Sequence, residues 1–115
     1  MVVVARSVLV VDDSAAFRAT AQVLLKARGY EVVGAAGDLA SAHAAAAELR
    51  PDCVLLDVNL PDGDGVTMAR SFEARVVLVS TLDLGGDIVE RSGARGFVPK
   101  TELASPRLVE LLGPP

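Results

Sequence analysis

Five short runs of apolar, largely β-branched residues punctuate the chain: VLVV at 8–11, EVVGA at 31–35, CVLLD at 53–57, VVLVS at 76–80 and GFVP at 96–99. They are too short for helices, and they lack the strict alternation of strands with one wet face, so they read as strands covered on both sides. Between them the pattern lengthens to a helical period. Phe17, Ala21, Leu24 and Arg28 follow i, i+4, i+7, i+11, which turns the first three toward a sheet and carries the last off it. Ser14 is placed to cap this helix and Gly29 to stop it, giving a helix over 14–28. Asp38 caps a second helix through AAAAELR that Pro51 closes. A third helix has only residues 66 to about 75 before the next strand. A fourth fits 84–92 with Gly93 as its stop, and Ser105 with Pro106 opens a short last one through RLVELL. Strands alternating with helices predict an α/β, doubly wound parallel sheet of five strands with helices on both faces, the third and fifth helices being short. Residues 1–115 suit one hydrophobic core, with no linker-like stretch and no internal repeat.

Composition sharpens this picture in two places. Aromatics are scarce, with three Phe, one Tyr and no Trp, so the core is built from Val, Leu and Ala. The net charge is −4 and the 11 Lys and Arg residues are scattered, which argues against direct binding of a nucleic-acid backbone. The single cysteine, Cys53, opens an apolar run and reads as a small core residue in a reducing compartment. The stretch MVVVARSVLVV is broken by Arg6 and ends in two aspartates, so it predicts neither a signal peptide nor a membrane span, and a cytoplasmic location is expected.

Ligands of doubly wound sheets bind past the carboxyl ends of the strands. Here the first strand ends in Asp12 and Asp13, the third in Asp57, the fourth in Ser80 with Thr81, and Lys100 follows the fifth. Carboxylates brought to about 4 Å repel by about 4 kcal/mol per pair at an effective dielectric near 20, so a cation belongs among them. Oxygen donors with no clustered His or Cys favour Mg²⁺, with a phosphoryl group as a natural further ligand. The DGDG turn at 62–65 is not a calcium loop of the EF-hand kind. Counting from Asp57, Pro61 and Met68 occupy positions where that loop needs oxygen-bearing side chains. His43 lies on an Ala-rich helix away from the carboxylates and is assigned to a helix surface.

In order along the chain, VLVVDDS, LLDVNLPDGDG, VVLVST and GARGFVPK resemble the receiver domain of two-component response regulators, over nearly the whole length. The resemblance implies a flavodoxin-like, chemotaxis-regulator-like sheet of order 2-1-3-4-5. It implies that Asp57 takes a phosphoryl group from a sensor histidine kinase or phosphotransfer protein, and that Asp13, Asp12 and the backbone carbonyl of Asn59 hold Mg²⁺ with it. Lys100 would pair with Asp57 and then with a phosphate oxygen. Ser80 would hydrogen-bond the phosphoryl group, its inward shift opening space for Phe97 as the switch. Such a domain catalyses only its own phosphorylation and dephosphorylation. Two other readings are a binding module that is never phosphorylated and a small phosphohydrolase with an aspartyl nucleophile. The first usually lacks an acidic or Lys position, and none is missing here. The second needs an acid two residues after the nucleophile, where this chain has Asn59.

The chain departs from the family pattern in three ways. The interval from Asp57 to Ser80 is short, which clips the third helix. Thr81 stands where receivers usually carry a smaller residue, so its β-branch should slow loss of the phosphoryl group. Lys100 is followed by Thr101 and not by Pro, so no cis-Pro turn is expected there. The short last helix puts conventional dimerisation in doubt, so a monomer or weak dimer is expected. GARGFVPKTEL is similar to receivers that precede a helix-turn-helix output domain. The output is therefore either a downstream protein partner of a single-domain regulator, which the Met1 start and compact finish favour, or a domain absent from this stretch.

Overall fold

The computed structural model describes residues 5–115, and the four residues that open the apolar N-terminal stretch lie outside it. Five parallel strands form the sheet: β1 (Ser7–Val11), β2 (Glu31–Ala36), β3 (Cys53–Asp57), β4 (Arg75–Ser80) and β5 (Gly96–Pro99). Their order is β2-β1-β3-β4-β5, with β1 and β3 at the reversal point. Strand limits agree with the sequence expectation to within one residue.

Helices cover both faces. On one, Ala21 and Leu25 of α1 (Ala15–Ala27) and Leu108 and Leu112 of α5 (Pro106–Leu112) pack on Val8, Val10, Leu55, Val77 and Val98. On the other, Leu39 and Ala42 of α2 (Leu39–Leu49), with Ala69 and Phe72, pack on Leu9, Val11, Leu56, Leu78 and Phe97, and Val89 of α4 (Gly86–Ser92) joins them. The alternation of strand side chains divides the sheet into these two cores. Cys53 is fully buried in the first, and burial raises its thiol pKa, as an inert core residue requires.

The caps form largely as the residues predict. The Ser14 hydroxyl accepts the Phe17 N–H, Asp38 accepts the Ser41 N–H, and Gly29 and Gly93 take positive φ beyond α1 and α4. The helix α2 stops at Leu49, with Arg50 in the left-handed region before Pro51. Ser105 precedes α5 but makes no side-chain cap; its carbonyl instead receives the guanidinium of Arg28, so the residue that leaves the sheet at the end of α1 braces α5. On α1 the fully buried residues are Ala21 and Leu25, while Phe17 and Leu24 are half-buried.

The third helix is shorter than the ten residues allowed it. The helix α3 (Gly65–Met68) makes one turn, and a 3-10 turn at Ala69–Ser71 completes the crossover. A second 3-10 turn spans Lys100–Glu102. Between β3 and α3 the chain folds into a small antiparallel hairpin, Asn59–Leu60 against Gly63–Asp64, which the sequence reading treats only as a turn. His43 is not simply a surface residue: its ring stacks on Phe72 with centroids 4.5 Å apart, and Nε2 lies 2.6 Å from the Ser71 hydroxyl. The short crossover brings Phe72 against α2, where the imidazole stacks on it at the edge of the helix. Among the described residues no peptide bond is cis, and no helix is long and apolar enough to cross a membrane.

Candidate functional site

The carboxyl ends of β1 and β3 place Asp12, Asp13 and Asp57 together, with one oxygen from each lying within 4.8 Å of the others. Asp12 and Asp57 are buried and Asp13 is exposed. The continuous apolar runs that precede these residues fix the strands, so the chain delivers its carboxylates at the first positions where β1 and β3 run out.

Lys100 is the ammonium among these acids. Its Nζ stands 2.6 Å from Asp12 Oδ2 and 3.5 Å from Asp57 Oδ2, so the expected partner, Asp57, is the more distant of the two. The Asp12 contact is an ion contact without the directionality of a hydrogen bond, which leaves Oδ2 a buried carboxylate oxygen with no aligned donor. The other oxygen of Asp12 accepts the Ser14 N–H at 2.8 Å, and so ties the acid to the start of α1.

Electrostatics differ between the partners. Burial raises the pKa of Asp57, the neighbouring Asp12 charge raises it further, and Lys100 and the Asn59 N–H offset this only in part. Burial opposes the charge on Lys100, but the close contact with Asp12 and the charges of Asp57 and Asp12 outweigh it and raise its pKa. The surroundings therefore favour the charged form of Lys100 and disfavour the charged form of Asp57.

Ser80, at the end of β4, is buried, and its Oγ accepts the Leu82 N–H at 3.0 Å. Thr81 follows it in an exposed position. Phe97 is buried in the core cluster on the α2 side, paired across the ladder with Leu78. Ser80 lies one strand repeat beyond Leu78 and so shares its face of the sheet, the face that Phe97 occupies. Asn59 directs its N–H at Asp57 Oδ1 from 3.4 Å, a long contact that places the residue beside the carboxylate.

Three residues that sequence reasoning did not assign to the site also support it. Phe17 presents its ring to Lys100 Nζ, 4.6 Å from the centroid, as a further contact for the ammonium. Its position one turn after Asp12 and Asp13 is the signal, though the helical period alone reads it as core. Arg18 donates to the Asp12 carbonyl at 2.6 Å and clamps the loop between β1 and α1. Gly65 approaches so closely that a Cβ there would lie 2.2 Å from the Asp57 carbonyl oxygen, while its N–H bonds the Val58 carbonyl at 2.8 Å. A glycine after a turn, a fixed distance beyond the strand-end acid, is the sequence trace of that contact.

A doubly wound sheet of this order, with paired acids after β1, an acid closing β3, a hydroxyl closing β4 and a lysine after β5, defines a class, and the comparisons agree with it. The chain belongs to the response regulator receiver domain family, whose family model matches residues 8–112. Protein-glutamate methylesterase/protein-glutamine glutaminase 5 of Myxococcus xanthus is 42% identical over 116 residues, which takes in 92% of this chain and 33% of that protein. Chemotaxis protein CheY of Bacillus subtilis is 30% identical over 103 residues, 84% of this chain and 86% of that one. The crystal structure of the response regulator domain of Thermotoga maritima CheB matches with a TM-score of 0.82 at 29% identity, over 95% of this chain and 94% of that one. The chain is thus a receiver domain of two-component systems, and it spans a third of the length of its methylesterase relative.

Proposed function

We propose that Asp57 accepts a phosphoryl group from the phosphohistidine of a sensor kinase or phosphotransfer protein. In this reading Asp12, Asp13, Asp57 and the backbone carbonyl of Asn59 hold Mg²⁺. The observation that carries the reading is the carboxylate cluster, in which buried acids stand together with a single ammonium between two of them. The donor set fits a hard ion: every candidate ligand is an oxygen, and Asp57, whose pKa is raised by burial and then by the Asp12 charge, would gain from added positive charge. Bound there, the ion supplies charge that neutralises the carboxylates and the phosphoryl oxygens.

The chain's own groups account for the rest. An oxygen of Asp57 attacks phosphorus as the P–N bond to the imidazole breaks, leaving an acyl phosphate on Asp57 and the bonding pair on the imidazole nitrogen. Lys100, 3.5 Å from the attacking carboxylate, is within reach of a phosphoryl oxygen added there. The Ser80 hydroxyl accepts from Leu82 and keeps its own proton to donate. A shift of Ser80 toward that group opens room on the face it shares with Phe97, and so couples the charge change to the surface of β4, β5 and their helices. Thr81, beside Ser80, screens the acyl phosphate from attacking water and lengthens its life. Residues 1–115 act as one domain, in the cytoplasm, as a monomer or weak dimer whose output is a protein partner or an attached domain. The domain's only chemistry is on itself.

Intact-protein mass after exposure to a phosphohistidine-bearing kinase tests this. The expected result is gain of one phosphoryl group by the wild type in Mg²⁺, with none for Asp57→Asn or in chelator. A gain that survives Asp57→Asn, or no gain from any kinase, contradicts it and leaves a binding module.

A further inference from the structure

We infer that Asp62 is a positioning residue for the metal site: by tying the tip of the hairpin after Asp57 to the first turn of α2, it fixes Asn59. The inference rests on the reading of Asn59 as a metal ligand.

The hairpin has two residues per strand, a size that does not persist in water unaided, and Asn59, Asp62, Gly63 and Asp64 are exposed. Its base is held by the Gly65 N–H to the Val58 carbonyl. Leu60 packs against the core cluster on the α2 side, and Asp62 hydrogen-bonds the tip to α2. Asp62 Oδ1 accepts the Leu39 N–H at 2.7 Å and Oδ2 accepts the Ala40 N–H at 3.0 Å. These are the first two amides of α2, which have no carbonyl partner within the helix, and Asp38 takes the third by accepting from Ser41. Two aspartates from distant parts of the chain therefore share one helix start. The negative charge of Asp62 also suits the positive end of α2, and the two amides hold its carboxyl below the usual range, so it is ionised throughout the working pH. Gly63 completes the seat: a Cβ there would come 2.6 Å from Leu39 Cδ1, so the tip lies flush on that side chain. With both ends fixed, residues 59–64 cannot swing. Asn59 pairs with Asp64 within that clamped unit, and this fixes the peptide proposed to face the ion.

Residues that orient a metal ligand without touching the metal commonly change its affinity about tenfold or more. We expect Asp62→Ala to weaken Mg²⁺ binding by about tenfold. Asp62→Asn, which keeps an oxygen for the Leu39 N–H, should weaken it less. Linkage works in both directions, so Mg²⁺ should slow hydrogen exchange at the Leu39 and Ala40 amides by a comparable factor in the wild type.

The experiment is a MgCl₂ titration of the full chain followed by backbone amide NMR, with exchange rates measured at each end, for wild type, Asp62→Ala, Asp62→Asn and Asp38→Ala. Asp38→Ala damages the same helix start without loosening the hairpin, so it should leave Mg²⁺ affinity near wild type. Equal weakening by Asp38→Ala and Asp62→Ala would reduce Asp62 to a helix cap and overturn the inference. So would wild-type affinity in Asp62→Ala, or Leu39 and Ala40 exchange that ignores Mg²⁺. A wild type whose amides near Asp57 do not respond to Mg²⁺ would overturn the metal reading itself. Should Asp62→Ala not fold, Asp62→Asn against Asp38→Ala makes the same distinction.

Discussion

At one end of β3, Asp52 receives the backbone N–H and the hydroxyl of Ser7 at 2.8 and 3.1 Å; at the other end, Asp57 meets a buried like charge and a lysine 3.5 Å away. The contrast extends along both edges of the sheet. At the amino edge Tyr30 donates to the Gly113 carbonyl, Arg6 to the Pro114 carbonyl and Cys53 to that of Leu112, so the groups there have partners within the chain. At the carboxyl edge Asp12 keeps a buried oxygen with no aligned donor, and the acids outnumber the ammonium. The pKa directions record the difference: the Ser7 amide holds Asp52 below the usual carboxylate range, while burial and Asp12 push Asp57 above it. One edge is satisfied by the fold alone. The other leaves a buried carboxylate oxygen without an aligned donor, as the proposed metal and phosphoryl ligands would require.

Substitutions at the two edges should separate these roles, with effects falling in the following order. Gly65→Ala forces a methyl group against the Asp57 carbonyl, and a backbone atom cannot yield as a side chain can. It should cost about 2–3 kcal/mol in denaturant unfolding and impair phosphoryl acceptance as well. Asp57→Asn should move stability the other way in metal-free protein, by about 1 kcal/mol, because it removes an under-compensated buried charge. An unchanged or lowered melting temperature would show that Lys100 already balances the acids.

At the amino edge, Tyr30→Phe deletes a buried hydrogen bond and should cost about 1 kcal/mol while leaving phosphorylation intact. Asp52→Asn should cost less, about 0.5 kcal/mol, since that acid is exposed and water competes for Ser7. The pH dependences have opposite signs. Asp52, with its pKa depressed on folding, contributes stability that is present above the ordinary carboxylate range and lost as pH falls through its folded pKa. Asp57, with its pKa elevated, contributes stability present at low pH and lost as pH rises through its folded pKa. Melting curves of wild type and the two Asn variants across the acid range should therefore diverge in opposite directions.

Much of this was legible in the chain because it depends on short-range pattern. The strands are continuous apolar runs, and strand ends are where an α/β sheet exposes its functional groups, so Asp12, Asp13, Asp57, Ser80 and Lys100 could be placed together before any geometry was known. The caps at Ser14 and Asp38 were equally local. What escaped depends on contacts between distant segments. The hairpin at 59–64 has too few residues to leave a periodic trace, although Pro61 and Asp62 between Leu60 and Gly63 are turn residues. That Asp62 joins Asp38 at the start of α2 could not be read from either residue's neighbours. His43 looked like a surface residue because its helix is mostly alanine, and only the clipped crossover brings Phe72 beneath it. The preference of Lys100 for Asp12 over Asp57 was likewise invisible, since both acids stand at strand ends and only the path of the lysine between them and Phe17 decides.

On the proposed reading, a divalent cation supplies positive charge that the carboxyl edge of this sheet lacks. Thermal unfolding of wild type and Asp57→Asn, with and without MgCl₂ at matched ionic strength, tests it most directly. Mg²⁺ should raise the wild-type midpoint, Asp57→Asn should lose most of that response, and NaCl should not substitute. A wild-type midpoint that does not move with Mg²⁺, or one that moves equally in Asp57→Asn, would contradict it.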